Sequence, residues 1–84
     1  MSNRVRNHLV PSYWAEGKSV SNHNGSFTTD GKQLFSYNLL IGDTCDKTGA
    51  KILRDYTASG RHGFQSMTTS QHVGRARRTA DIID

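Results

Sequence analysis

At 84 residues, with 33% hydrophobic and 21% charged side chains and a net charge of +4, the chain makes one small domain with a thin core. Its single cysteine, Cys45, excludes an internal disulfide framework. No apolar run exceeds Leu39-Leu40-Ile41 in length, so no stretch reads as a membrane span or a signal peptide, and a reducing, cytoplasmic setting is expected.

Residues 1–10 are polar and basic, with Val5, Leu9 and Val10 scattered around Arg4 and Arg6, and read as a flexible basic arm ahead of a domain over residues 11–84. Pro11 and Ser12 open a helical turn that Gly17 ends, and Trp14 anchors that turn in the core. Residues 18–25, rich in Ser, Asn and Gly, form a loop. Strand-forming residues then flank Asp30-Gly31, a hairpin signature. A two-residue loop would set Phe27 on the face of Leu34, Ser36 and Asn38. A three-residue loop with Gly31 in a left-handed bulge gathers Phe27, Phe35, Tyr37, Leu39 and Ile41 on one face, and is preferred.

Gly42 ends the second strand, and Asp43 to Gly49 form a polar loop. A third strand runs from Ala50 to about Thr57, and Phe64-Gln65-Ser66-Met67 makes a fourth. Short connections favour an antiparallel meander. The period then changes: Val73, Ala76, Ala80 and Ile83 fall on one face of a C-terminal helix whose cap lies among Thr68, Thr69 and Ser70. The expected fold is α+β, a four-stranded antiparallel meander with the C-terminal helix packed on one face.

The charge is placed unevenly. Residues 1–29 carry Arg4, Arg6 and Lys18 against Glu16, and residues 30–60 are balanced. Residues 61–80 carry Arg61, Arg75, Arg77 and Arg78 with no acid, before Asp81 and Asp84. Basic ends around a neutral middle suggest an anionic partner, although a solvated, solubilising helix face explains the arginines as well.

Other constellations are weaker. Asp46-Lys47-Thr48-Gly49 repeats the tetrapeptide around the phosphorylated aspartate of cation-pumping ATPases, but that chemistry needs a far longer chain, and a polar hairpin loop explains it. Asp43 and Asp46 lack the alternating acids of a tight calcium loop. His8, His23, His62, His72 and Cys45 lack zinc-ligand spacing. Ser66, Ser70 and His72 are not placed as a nucleophile and its base. No metal, cofactor or catalytic constellation is expected. Arg75 and Arg78, three apart with His72 three before them, share a helix face, and amides near Thr69 to His72 can hold a phosphate. With Arg77, Arg61, Arg4 and Arg6 they could grip a nucleic-acid backbone without reading its sequence.

Asn24-Gly25-Ser26, Thr29-Asp30-Gly31, Leu34, Ser36-Tyr37, Ile41-Gly42, Asp55-Tyr56-Thr57 and Thr68-Thr69-Ser70-x-His72-Val73-x-x-Ala76-Arg77 resemble a pattern of small bacteriophage-encoded proteins without an established function. The resemblance spans roughly residues 14–78. It implies a viral origin, action in the host cytoplasm, and binding rather than catalysis; it assigns no site. The expected function is that of a non-catalytic accessory protein that binds nucleic acid through its basic helix. The alternative is a protein-binding inhibitor that sets the same surface against an acidic host or anti-phage defence complex. An exposed edge strand would also allow a dimer.

Overall fold

A computed structural model of the protein describes residues 4–84. Its strands form one seven-stranded sheet in which spatial order follows the chain. They are β1 (Arg4–Val5), β2 (Ser19–Asn22), β3 (Phe27–Asp30), β4 (Leu34–Ser36), β5 (Leu39–Thr44), β6 (Lys51–Leu53) and β7 (Ile82–Ile83). β2 to β6 are an antiparallel meander, and β1 and β7 add a parallel strand at each edge. The class is α+β with a mostly antiparallel sheet and a C-terminal helix, as expected, but the sheet has seven strands rather than four.

Parallel neighbours require a crossover, and each crossover here contains a helix. α1 (Val10–Ala15), preceded by a 3-10 turn at Asn7–Leu9, joins β1 to β2; α2 (Met67–Ala76) lies between β6 and β7. The strand pairings make β2 and β6 parallel in direction, so two crossovers of equal hand stepping the same way place both helices on one face. There, Val10 and Trp14 of α1 and Val73 and Ala76 of α2 pack over Val20, Phe27, Leu34, Ile41 and Leu53. The smallest dimension, 19 Å, leaves room for these two layers and no third.

Local chemistry explains α1. Pro11 sits in its first turn, where a missing N–H is harmless, and Gly17 (φ +76) ends it with its N–H on the Trp14 carbonyl. The arm expected over residues 1–10 is, from Arg4 onward, folded: Arg4 and Val5 pair with Ser21 and Asn22, and Val10 is fully buried. The start of that expectation, residues 1–3, lies outside the described residues.

The first hairpin differs from the expected register. Phe27 lies opposite Ser36 and Thr29 opposite Leu34, so the loop is Gly31-Lys32 and the buried face carries Phe27, Thr29, Leu34 and Ser36. Phe35 points to the other face. The turn's own side chains and distant partners fix this register. Asp30 Oδ1 accepts from the Lys32 and Gln33 amides, and Thr29 Oγ1 accepts from the Gly31 amide and donates to the Gln33 carbonyl. The Lys32 carbonyl accepts from Trp14 Nε1 (3.0 Å) and Thr44 Oγ1 (2.7 Å), and the Gly31 carbonyl accepts from Lys51 Nζ (3.0 Å). Gly31 itself has φ +97, and a Cβ there would lie 2.6 Å from the Gly17 carbonyl oxygen.

The expected long second strand is broken into β4 and β5 by a turn at Tyr37-Asn38, with Tyr37 in the left-handed region at φ 56. A bulge follows: Phe35 pairs with Leu40 and Leu34 with Gly42, leaving Ile41 as the extra residue, turned into the core. The fourth strand expected at Phe64 to Met67 is absent. Ser66 instead caps α2, its Oγ accepting from the Thr69 amide, so Met67 begins a helix. α2 stops at Ala76, and the expected stripe keeps only Val73 and Ala76. Ile83 belongs to β7, held because Asp81 and Lys51 exchange bonds: the Asp81 N–H donates to the Lys51 carbonyl, and Asp81 Oδ2 accepts from the Lys51 amide.

Candidate nucleic-acid interface

α2 and the turn over residues 77–79 that follows it present three stripes. Thr69, His72, Val73 and Ala76 are buried. Ser70 and Arg77 face the segment after β6: Ser70 Oγ donates to the Tyr56 carbonyl, and Arg77 Nη2 pairs with Asp55 Oδ2 at 3.0 Å. Gln71, Gly74, Arg75 and Arg78 follow i, i+3, i+4, i+7 spacing and form the third stripe, which runs beside the 3-10 turn and α1.

Between these elements lies an open groove of ≈ 620 Å³, lined by His8, Ser12, Gln71, Gly74, Arg75, Arg78 and Thr79. No acid is among the lining residues. Neither arginine makes a hydrogen bond or ion pair among the described residues, in contrast to Arg77, Arg61 and Lys32, which are matched by Asp55, Asp84 and Asp46. Two unmatched guanidinium groups three residues apart, with the Ser12 hydroxyl and the Gln71 amide beside them, form a site for an anion with several oxygens; the Thr79 hydroxyl is spent on the Ala76 carbonyl.

The residues expected at the interface therefore separate. Arg75 and Arg78 come together in the groove. Arg6 is exposed and borders a smaller depression of ≈ 390 Å³ with Asn7, Asn22, His23 and Asn24, two residues before His8. Arg4 donates to the His23 carbonyl at 2.6 Å. Arg77 and Arg61 are held by carboxylates: Asp55 is kept below the ordinary carboxyl range by the Thr57 hydroxyl and Arg77, and Asp84 by His62 and Arg61. The amides expected near Thr69 to His72 to hold a phosphate are already engaged at the helix start, where the Thr69 N–H donates to Ser66 Oγ and the Ser70 N–H to the Ser66 carbonyl.

His72 must be removed from the expected surface. It is 2% exposed, stacked on Phe27 with ring centroids 4.1 Å apart, and its Nδ1 lies 2.7 Å from Ser36 Oγ. Ser36 also meets Thr69 Oγ1 at 3.0 Å, and Thr69 accepts from Ser66. Burial, followed by the positive charge of Arg75, lowers the imidazole to about 4, so it is neutral at pH 7. A serine beside a histidine has the outline of a nucleophile and its base, but Ser36 is fully buried with its hydroxyl already engaged. The pair joins α2 to β4.

No protein-family model matches the chain, nor does any curated protein or solved structure. The reading of the groove therefore rests on its own chemistry. Among the described residues no three His, Cys, Asp or Glu side chains gather as a metal site, and no helix is long and apolar enough to cross a membrane. Asp46-Lys47-Thr48-Gly49 is a hairpin loop between β5 and β6, with Asp46 paired to Lys32 at 2.6 Å.

Sequence reasoning missed His8, Ser12, Gln71 and Thr79, while Gly74 reads from the sequence as a helix-weakening residue that either packing holds or a close backbone approach explains. Gln71 and Gly74 were legible as the helical neighbours of Arg75 and Arg78. His8 and Ser12 carry no such signal, because only the packing of α1 beside α2 brings them there.

Proposed function

We propose that this protein is a non-catalytic accessory factor that binds nucleic acid through backbone phosphates in the groove between α1 and α2. The observation that carries this reading is the pair Arg75 and Arg78, adjacent and unmatched in a groove with no acidic lining residue. Each guanidinium can take a phosphate in bidentate fashion, and the bound phosphates release condensed cations, which makes the affinity steeply salt-dependent. The resemblance to small phage-encoded proteins supports binding over catalysis and a site of action inside the host cell.

A salt titration of binding to DNA and RNA tests this. Replacing Arg75 and Arg78 with Ala should reduce the slope of log affinity against log salt by about 1.5 to 2, one counterion equivalent for each lost phosphate contact. Arg77→Ala, which breaks the pair with Asp55, should leave the slope near that of the wild type. Absence of binding at low salt, or equal slopes in all three proteins, rejects the reading.

The second reading, an inhibitor docking on an acidic host or defence complex, is favoured by a different observation. Phe64 and Met67, on either side of the Ser66 cap, are exposed, as is Tyr37, whose ring lies 6.4 Å from that of His72. Capture of one partner from nuclease-treated lysate, lost on replacing these three side chains with Ser, would favour it.

A further inference from the structure

Gly74 occupies the interior of α2, where glycine is the poorest helix former after proline. Two structural reasons ordinarily keep a glycine in such a place: a left-handed backbone, or a neighbour too close to admit a Cβ. Neither holds. Its φ is not among the positive ones, and a Cβ at Gly74 would meet no heavy atom within 4 Å. Gly31 and Gly42 are the contrast, since a Cβ would come within 2.6 Å of the Gly17 carbonyl in one and 2.8 Å of Trp14 in the other. Nor does Gly74 end the helix, which continues to Ala76. The space it leaves is in the groove, beside Arg75 and one turn from Arg78.

We propose that Gly74 is a ligand-approach position: a single nucleic-acid strand lies in the groove with its sugar–phosphate backbone against the α2 backbone and its bases turned outward. The proposal rests on the phosphate-binding reading above and names the form of nucleic acid. A free-standing helix enters a duplex as a ridge, but the Gly74 stripe is flanked by His8 and Ser12 and forms part of a recess. A stiff duplex touches the rims of such a recess, whereas one flexible strand can descend to its floor. No Phe, Tyr or Trp lines the groove; His8 is the one ring among its lining residues, and with both guanidinium groups taken up by phosphates the floor favours the sugar–phosphate backbone over a run of stacked bases. Ser12 and Gln71 supply hydrogen bonds that phosphate and sugar oxygens take, while the Thr79 hydroxyl, whose proton goes to the Ala76 carbonyl, can only accept. Binding of this kind tolerates any sequence.

The test keeps both arginines and fills the floor. Fluorescence anisotropy is measured with labelled oligothymidylate, oligouridylate and a blunt DNA duplex of the same length, for the wild type, Gly74→Ala and Gly74→Leu. At least one single strand should bind the wild type about tenfold more tightly than the duplex, a difference well within reach of titration. Gly74→Leu should weaken that strand by about tenfold or more, and Gly74→Ala less, in the same direction. Thermal melts should show both variants folded with midpoints no lower than the wild type, because either residue favours helix over glycine. Undiminished affinity in the Leu variant, or a duplex bound as well as both single strands, overturns the inference. If Arg75 and Arg78 prove necessary while Gly74→Leu binds normally, phosphate binding stands and the inserted strand falls. If the wild type binds none of the probes, both readings fall.

Discussion

Acidification from pH 7 to pH 4.5 should weaken this fold through one buried side chain. His72 is held at about 4 in the folded protein, against an ordinary value of 6.5, because it is buried beneath α2 and lies near Arg75. The folded state therefore disfavours the proton that the unfolded chain accepts. Stability is fully present above 6.5 and is lost as the pH falls from there toward 4, while only the unfolded state protonates. Between pH 7 and 4.5 the loss amounts to about 2 to 3 kcal/mol, a large share of what a domain of this size commands. The lowered carboxyls of Asp30, Asp55 and Asp84 do not enter, since their contribution disappears only below the ordinary 3.8. The perturbation is His72→Phe, which retains a ring against Phe27 and leaves Ser36 its bond to Thr69. Urea unfolding of both proteins across this range is the assay. The wild type should lose about 2 to 3 kcal/mol more than the variant; parallel loss in the two would refute a neutral, buried His72.

Gly42→Ala should destabilise the fold by about 1 to 3 kcal/mol, because its Cβ would lie 2.8 Å from Trp14 Cζ2 and 3.0 Å from Leu34 Cβ, so the core must shift. A urea midpoint equal to the wild type would show that Trp14 yields freely. Tyr37→Gly should stabilise by roughly 0.5 to 1 kcal/mol, the relief of a left-handed backbone less the entropy of the added glycine, since the ring is 56% exposed and its loss uncovers little. A clear fall in calorimetric midpoint would instead show that the ring shields His72.

Where local chemistry sets the structure, the chain is readable. Pro11, Trp14 and Gly17 mark a helical turn with a buried indole, and the turn beyond Asp30 is visible from its Asp-Gly pair. The register is not, because the atoms that select it belong to Trp14, Thr44 and Lys51, all distant in sequence. The hairpin at Tyr37 is hidden because an aromatic residue at positive φ lacks the glycine that usually announces such a turn. Ile83 continues the spacing of Val73 and Ala76, so an edge strand passes for the end of a helix. A histidine on an apolar stripe is equally compatible with solvent and core, and Ser36, whose contact decides it, comes from another element. At the candidate interface, Arg75 and Arg78 are legible as a pair, while the ties of Arg77 to Asp55 and Arg61 to Asp84 need the folded chain.

Because spatial order follows chain order, Arg4 and Ile83 lie on opposite edges of the sheet, about 30 Å apart across six strand spacings. Tension applied between the two ends would load the sheet across its strands, opening ladders one hydrogen-bond pair at a time rather than shearing many together. Among the described residues β1 and β7 each pair over two residues, and these edge ladders would yield first. At the far edge, the backbone bonds of Asp84 to Leu53 and Asp55, with its side chain held by Arg61 and His62, act as a catch on that zipper. Mechanical unfolding should therefore start by peeling β1 and the helix behind it, which dismantles one wall of the groove before the meander gives way.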